Sequence, residues 1–155
     1  VQRVVELMMA EAEAKKIDLQ FSTPPEIPSI IADRRSMEGI FTNLISNAIK
    51  YTPEGGKVWI SVGEEGGFVK ATVSDTGIGI NKEDLSRIFD KFYRVRTVET
   101  RQIVGTGLGL SIVKSIVDAH LGSITVESEA GKGTTFTVHF PRESNPPPPV
   151  TQHKA

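Results

Sequence analysis

The chain has 155 residues, and 18 Lys and Arg against 19 Asp and Glu give it a formal net charge of -1. This length allows one domain with a buried core, and the balanced charge argues against a nucleic acid or an anionic membrane as a partner. The absence of cysteine excludes disulfides and thiolate sites, and three dispersed histidines argue against a zinc site. No apolar run is long enough to span a membrane, and the chain begins at Val1 without a leader pattern, so we expect a soluble piece of a longer protein.

The first third of the chain predicts a helix, a strand and a second helix. Residues 1–16 place apolar side chains at helical spacing. Residues 17–21 alternate between apolar and polar side chains, as in a half-buried strand, and prolines interrupt the pattern after them. The next helix is expected to have its cap near Ala32 to Asp33 and to end near Tyr51, before the loop sequence TPEGG.

Two strands and a short helix come next. We predict strands over 57–62 and 68–75, joined by the glycine-rich turn 63–67. Alternation along the second strand places Asp75 on the same side as the apolar residues of that strand. A glycine loop then leads to a predicted helix over 82–89.

The last third begins with a cationic segment, 91–104, which has no clear period and carries four basic residues against one acidic residue. A helix then opens at 105–109, and a hairpin that pairs 124–126 with 136–140 closes the domain. The interleaved helices and hairpins predict an α/β two-layer domain with a largely antiparallel or mixed sheet. The apolar residues expected on one side of the last helix are Leu108, Ile112, Val113, Ile116 and Val117.

A polar stripe of Asn43, Asn47 and Lys50 runs along the second helix beside its apolar face. Asparagine costs roughly several tenths of a kcal/mol relative to alanine in a helix, so a reason other than helix propensity is expected for the pair. Amide oxygens suit a hard cation such as Mg²⁺, which also accepts phosphate oxygens and water. The alternative is that both amides satisfy the backbone of a neighbouring loop, and the helix alone favours neither.

Asp75 is predicted to lie in the layer between the sheet and the helices. A buried carboxylate without partners costs roughly several kcal/mol, so Asp75 must accept hydrogen bonds. The sequence TGIG that follows allows the backbone to approach a planar ligand closely, and an adenine can donate its exocyclic amine to such a carboxylate. The alternative is an ordinary turn capped by Asp75, which is the commoner situation for this sequence alone.

The sequence GTGLG, 105–109, opens a helix at the point where unpaired N–H groups and the helix dipole attract phosphate. By itself this is a weak indication, because it is neither the dinucleotide-binding sequence nor a Walker loop. It gains weight from its combination with the amide stripe, the buried carboxylate and the cationic segment. Together these features favour a nucleotide site.

Five segments resemble the motifs of the sensor histidine kinases, in the order and at the spacing of that family. The resemblance covers about residues 17–141. It implies a Bergerat ATP-binding fold, with a mixed, mostly antiparallel sheet of about five strands packed on three helices and a flexible ATP lid. The segments are the N box at 41–52 (FTNLISNAIKYT), the first glycine box at 75–80 (DTGIGI), the phenylalanine box at 88–93 (IFDKFY), the second glycine box at 105–110 (GTGLGL) and the closing motif at 131–136 (GKGTTF).

The resemblance also implies three regions of chain. Residues 1–16 would be a helical linker continuing from a missing dimerisation and phosphoacceptor domain. Residues 17–141 would form the catalytic ATP-binding domain, and 142–155 would be a disordered, proline-rich tail.

Carried over residue by residue, the resemblance implies that ATP and Mg²⁺ are the cofactors. Asn47 would coordinate Mg²⁺, Asn43 would lie near the phosphates, and Asp75 would accept the adenine amine. In the lid, residues 93–104, either Arg94 or Arg101 would neutralise charge on the γ-phosphate. The other residues implied to contact the nucleotide are Lys50, Tyr51, Gly77, Gly79, Ile80, Gly105, Thr106, Gly107, Leu108, Gly109 and Thr134.

Two departures from related proteins refine this expectation. ATP-hydrolysing relatives such as gyrase and the heat-shock chaperones carry a glutamate general base where this chain has Asn43, and an amide cannot take the proton from water. Transfer to a histidine is therefore favoured over hydrolysis. No acceptor histidine is present, since His120 is interpreted as structural, His139 points outward from the last strand and His153 is in the tail. The chain alone should bind Mg-ATP without phosphorylating itself.

We therefore predict the catalytic domain of a sensor histidine kinase. The alternatives are a nucleotide-gated module that regulates a partner without transfer, and a serine kinase of the anti-sigma type on the same fold. The expected partners are the helical dimerisation domain of the same kinase and a downstream response regulator. We expect a monomeric fragment of a homodimeric cytoplasmic protein, whether or not that parent is anchored in a membrane.

Overall fold

The computed structural model describes residues 1–103, 105 and 107–143. Within this part of the chain, four helices pack on one five-stranded sheet. The helices are α1 (Gln2–Ala14), α2 (Arg34–Lys50), α3 (Lys82–Leu85) and α4 (Gly109–Ala119). The strands are β1 (Asp18–Ser22), β2 (Lys57–Glu65), β3 (Phe68–Asp75), β4 (Ser123–Glu129) and β5 (Gly133–Pro141).

The sheet is mixed, as predicted, and its strand order is β1-β2-β3-β5-β4. The edge strand β1 is parallel to β2, because the connection between them passes through α2, while every other pairing is antiparallel. The two central strands, β3 and β5, are far apart in sequence. Their register places Asp75 directly opposite Thr134, so the last residue of β3 lies beside the start of β5.

One face of the sheet forms the core with α1, α2 and α4. Alternating residues of the central strands, such as Ile60, Val73 and Val138, are buried against Leu44 and Ile45 of α2. The opposite face carries mostly polar side chains and is open to solvent, although Trp59 also lies there and is 42% exposed. The expected two-layer architecture is confirmed.

The start of α2 is fixed by a cap and by a contact with the end of α4. The carboxylate of Asp33 accepts hydrogen bonds from the N–H and hydroxyl of Ser36, as expected for an N-cap. The N–H of Asp33 donates to Nε2 of His120 over 3.2 Å, so Nδ1 carries the ring proton and donates to the carbonyl of Ile116 over 2.8 Å. His120 therefore has a structural role, and α4 runs back along α2 so that Gly109 lies beside Asn43.

Most element boundaries differ from the sequence expectation by one to four residues, and those of β2 and α3 have clear structural causes. Strand β2 continues to Glu65, because the turn consists of Gly66 and Gly67, whose φ angles of +58° and +84° suit a tight two-residue hairpin. The short helix α3 ends at Leu85 rather than near residue 89. Beyond it the chain turns through successive i to i+3 hydrogen bonds, which carry Ile88 into the core.

The buried face of α4 also differs in part from the prediction. Ile112 was expected on the apolar side, yet it is 47% exposed, and Leu108 precedes the helix as its N-cap. Val113 and Val117 are fully buried, and Ile116 packs against the core while partly exposed, as predicted for these three. Because this helix is apolar on most of its circumference, its periodicity alone could not determine which side faces α2.

The chain beyond β5 keeps its contacts for two more residues. The N–H of Arg142 donates to the carbonyl of Gly67, and the N–H of Glu143 donates to that of Ser29 over 2.7 Å. Residues 142 and 143 of the predicted tail thus make hydrogen bonds to the domain, and residues 144–155 lie outside the described residues. Among the helices of the described chain, none combines the length and apolar character that a bilayer span requires.

Candidate nucleotide site

An open cavity lies between α2, the loop after β3, the lid (residues 93–104, of which residue 104 is not described) and the beginning of α4. It gathers residues that are distant in sequence, because the antiparallel packing of α4 on α2 and the pairing of β3 with β5 bring their ends together. The predicted site residues that line it are Asn43, Asn47, Lys50, Tyr51, Asp75, Gly79, Ile80, Arg94, Gly105, Gly107, Gly109 and Thr134.

Three of the predicted residues do not line the cavity, and one cannot be placed. Gly77 lies behind its wall, where a Cβ atom would stand 2.4 Å from the carbonyl oxygen of Tyr51. Leu108 and Arg101 also lie outside the lining. Thr106 lies outside the described residues. Of the two candidate lid arginines, the structure therefore brings only Arg94 to the cavity.

The carboxylate of Asp75 forms one wall and is oriented by the backbone. Its Oδ1 accepts hydrogen bonds from the N–H of Gly77 over 2.8 Å and from the N–H of Thr134 over 3.2 Å. Burial raises the pKa of Asp75, while these two hydrogen bonds act in the opposite direction. No donor among the described residues reaches Oδ2. Asp75 thus caps the turn and also faces the cavity. The interpretation as a turn cap and the interpretation as an acceptor for a ligand therefore do not exclude each other.

The glycine loop after β3 is fixed against the hairpin between β4 and β5. Gly79 has a φ angle of +70°, and a Cβ atom there would stand 2.0 Å from the carbonyl oxygen of Glu129. The N–H of Ile80 donates to the hydroxyl of Ser128, and the N–H of Gly131 donates to the carbonyl of Ile78, each over 2.8 Å. The loop therefore forms a rigid wall that only glycine permits at this distance.

The two asparagines of α2 have different environments. The amide of Asn43 donates to the carbonyl of Gly39 over 3.0 Å, and its oxygen lies 3.0 Å from the position of a Cβ atom on Gly109. The side chain of Asn47 lines the cavity and forms no hydrogen bond within the described chain. Within the described chain, neither amide forms a hydrogen bond with a neighbouring loop. The amide oxygen of Asn47 is thus available to a ligand.

The lid is anchored at its base. The N–H of Phe92 donates to the carbonyl of Gly107 over 3.0 Å, and the φ angle of Gly107 is +74°. The guanidinium of Arg94 donates to the carbonyl of Ile103. The buried hydroxyl of Thr100 donates to the carbonyl oxygen of Val95 over 2.7 Å. These bonds fold the lid back on itself with Arg94 at the cavity wall.

Several residues that line the cavity were not predicted as site residues from the sequence. Tyr93 is the most polar of them, and its hydroxyl donates to Asp84 while the guanidinium of Arg87 stacks 4.4 Å from its ring centroid. The hydrogen bond to Asp84 raises the pKa of Tyr93. The position of Tyr93 directly before Arg94 was the available signal. The other missed residues are Ala48, Ile78, Ile88, Val95, Thr100, Leu110 and Phe136, mostly apolar side chains suited to a planar base.

Comparison with known proteins places this geometry in a family. Residues 32–144 match the model of the family described as histidine kinase-, DNA gyrase B-, and HSP90-like ATPase. The sensor histidine kinase WalK of Bacillus subtilis is 49% identical over 111 residues, a match that covers 70% of this chain and 18% of WalK. The chain thus spans less than a fifth of that relative.

Solved structures show the same fold. The catalytic domain of the histidine kinase ThkA matches with a TM-score of 0.78 and 32% identity, covering 91% of this chain and 89% of that one. ThkA in complex with the response regulator protein TrrA matches with a TM-score of 0.74. Full-length ShkA in complex with AMPPNP matches with a TM-score of 0.77 and 32% identity, and the match covers 91% of this chain and 29% of that one. The chain therefore belongs to the histidine kinase-, DNA gyrase B- and HSP90-like ATPase family, and its fold is that of a histidine kinase catalytic domain.

Proposed function

We propose that this domain binds Mg-ATP in the cavity and donates the γ-phosphoryl group to a histidine on a separate helical dimerisation domain. The observation that carries the proposal is the buried carboxylate of Asp75. Its Oδ1 is occupied by two backbone N–H groups, and its Oδ2 has no partner in the described chain. An acceptor held in this way suits the exocyclic amine of adenine.

The direction of the nucleotide follows from the distribution of charge around the cavity. The adenine lies at the apolar end beside Asp75 and Gly79. The triphosphate extends toward Lys50, Arg94 and the beginning of α4, where the positive end of the helix dipole favours an anion. The matched ShkA structure holds AMPPNP, an ATP analogue, which supports this class of ligand.

The residues of the cavity fit a magnesium ion that is shared with phosphate. Asn47 supplies an amide oxygen without a competing partner, and Mg²⁺ accepts one or two protein oxygens together with phosphate oxygens and water. The described residues contain no cluster of three or more His, Cys, Asp or Glu that could hold a metal by itself. Asn47 would therefore hold the ion only together with the nucleotide, and the bound ion would neutralise charge on the phosphates.

The cavity favours transfer over hydrolysis because it offers water no general base. Asp75 is the only acidic side chain among the described lining residues, and it faces the adenine end. Asn43 occupies the place of the glutamate in hydrolysing relatives, and its amide donates to the carbonyl of Gly39. A histidine needs no base for the attack, since a ring nitrogen of neutral imidazole carries a lone pair that can attack the γ-phosphorus while the bond to the β,γ-bridging oxygen breaks and ADP leaves. The other ring nitrogen then loses its proton to solvent. The protein contributes position and charge, with Arg94 opposite the developing negative charge.

We also propose the domain scheme that the sequence predicted. Helix α1 would be the linker from a helical dimerisation domain, residues 17–141 would be the catalytic domain, and a homodimeric cytoplasmic parent would supply the acceptor histidine. A downstream response regulator is supported by the matched complex of ThkA with TrrA.

The decisive experiment mixes the chain with γ-labelled ATP, Mg²⁺ and its cognate helical domain. Acid-labile, base-stable label on the helical domain, lost with Asn47→Asp, supports the proposal. Acid-stable label would indicate serine phosphorylation, and binding without label transfer would indicate a regulatory module. ATP binding itself is measured by the rise in melting temperature with ligand concentration, and no rise at millimolar Mg-ATP would refute the nucleotide site.

A further inference from the structure

Lys15, directly after α1, caps the C-terminal end of α2 with its side chain. Its ammonium group donates to the carbonyl oxygens of Ile49 and Lys50 over 2.8 and 2.7 Å. These are the last two carbonyls of α2. The N–H that would continue the helix to Ile49 is missing, because Pro53 stands four residues later. Lys15 therefore satisfies carbonyls that α2 cannot satisfy itself, and it places a positive charge at the negative end of the helix dipole.

The geometry of α1 holds Lys15 in this position. Helices α1 and α2 run in the same direction, since Arg3 lies 4.0 Å from Glu38 near their starts and Lys15 meets α2 at its end. Lys16 has a φ angle of +58°, and the N–H of Ile17 donates to the carbonyl of Ala12, so the chain turns sharply after Lys15.

The next residues continue the attachment to the turn after α2. The N–H of Gly55 donates to the carbonyl of Lys16 over 3.1 Å, and the N–H of Asp18 donates to the carbonyl of Gly56 over 3.0 Å. Lys15, Lys16 and Asp18 thus join the end of α1 and the start of β1 to the end of α2 and the turn that follows it.

The end of α2 is also the part of the helix that forms the cavity. Asn47, Lys50 and Tyr51 all line it, and the carbonyl of Tyr51 accepts a hydrogen bond from the N–H of Ile78 over 3.1 Å. Lys15 itself does not line the cavity. It contacts the last turn of α2 through the backbone, while the side chains of that turn reach the triphosphate end.

We propose that Lys15 is a positioning residue for the phosphate end of the nucleotide. By capping α2, it keeps the last turn helical and so holds Lys50 and Asn47 in place for the triphosphate. It also makes phosphate affinity depend on the placement of α1. This inference rests on the proposed function, because it concerns how Mg-ATP is held in the same cavity.

The test compares Lys15→Met with the wild-type chain by calorimetric titration, at a temperature where both are fully folded. Loss of the ammonium group should weaken Mg-ATP binding about tenfold, which corresponds to about 1.4 kcal/mol. Adenosine contacts only the Asp75 end of the cavity, so the affinity of Lys15→Met for adenosine should stay within about twofold of the wild-type value. Chemical-shift titration measures this affinity. Lys15→Arg, which can cap the same carbonyls, should restore Mg-ATP affinity.

A matched control is Lys16→Met. The side chain of Lys16 is 76% exposed and pairs with Glu54 over 3.1 Å at the surface, so its loss should leave both affinities unchanged. Unaltered Mg-ATP affinity in Lys15→Met, or an equal loss for adenosine and Mg-ATP, would overturn the inference. Absence of Mg-ATP binding by the wild-type chain would instead refute the proposed function.

Discussion

The backbone N–H of Thr134 donates a hydrogen bond of 3.2 Å to Oδ1 of Asp75, across 59 residues of sequence. The pairing of β3 with β5 places the two residues opposite each other, and the N–H of Gly77 reaches the same oxygen from the loop. The direction of the carboxylate is therefore set by backbone that does not depend on a ligand. A site built in this way loses little conformational entropy when it binds.

Replacement of Asp75 by Asn should separate stability from binding. Burial raises the pKa of Asp75 above its unfolded value of 3.8, so the native state holds the proton more tightly than the unfolded state. The free energy of unfolding therefore falls as the pH rises from about 3.8 through the pKa of the folded protein. Asn keeps an oxygen for Gly77 and Thr134 without the buried charge. We expect Asp75→Asn to be at least as stable as the wild type at pH 7 without ligand, and to lose its thermal shift with ATP.

The pH dependence provides the control for this prediction. Below the unfolded pKa of Asp75 the wild-type carboxyl is neutral in both states, so the stabilities of the two proteins should converge there. Thermal denaturation between pH 3 and 8 measures the difference. An unliganded Asp75→Asn protein that is clearly less stable at pH 7 would contradict this account of the carboxylate.

Gly79→Ala should destabilise the domain and close the adenine end of the cavity. A Cβ atom there would stand 2.0 Å from the carbonyl oxygen of Glu129, at a φ angle of +70°, so both strain and overlap oppose it. We expect a loss of about 2–4 kcal/mol in the free energy of unfolding. Gly131→Ala is the matched control, because its φ angle is +82° but nothing lies within 4 Å. It should cost about 1–2 kcal/mol in urea denaturation, and equal losses would refute the packing argument.

Arg94 and Arg101 should differ in their effect on phosphoryl transfer. Arg94 lines the cavity and Arg101 does not. Arg94→Gln should lower the transfer rate to the cognate helical domain about 100-fold, the effect of one lost charge that stabilises a transition state. Arg101→Gln should change it by less than about threefold, since exposed charges interact weakly. Single-turnover transfer from labelled ATP measures both rates, and the reverse order would assign the γ-phosphate to Arg101.

His120→Ala should weaken the junction of α2 and α4 without removing the nucleotide site. The change leaves the N–H of Asp33 without its acceptor and removes the ring contact with Phe140. We expect a loss of about 1–3 kcal/mol in unfolding free energy, with an ATP-dependent thermal shift still present. His139→Ala, on the open face of the sheet, removes a ring contact with Phe68 but no hydrogen bond within the described chain, and should cost less than about 1 kcal/mol. Phosphoryl label on His120 in the wild-type chain would contradict its structural role.

Local sequence determined much of the domain. The period of the apolar residues predicted α1, α2, α4 and the closing hairpin, because each must bury one stripe or face. The cap at Asp33 was readable because its bonds reach only three residues along the chain. The motifs predicted the histidine kinase catalytic fold, which the comparisons confirm.

Only the tertiary structure decided which side of α4 is buried, which lid arginine reaches the cavity and what caps the end of α2. These properties depend on contacts between residues far apart in sequence, such as Lys15 with Ile49 and Asp75 with Thr134. Periodicity and motifs describe the chain within a turn or two of each residue. The sequence by itself therefore determined the family, the elements and the set of candidate site residues, while long-range packing decided which of those residues meet.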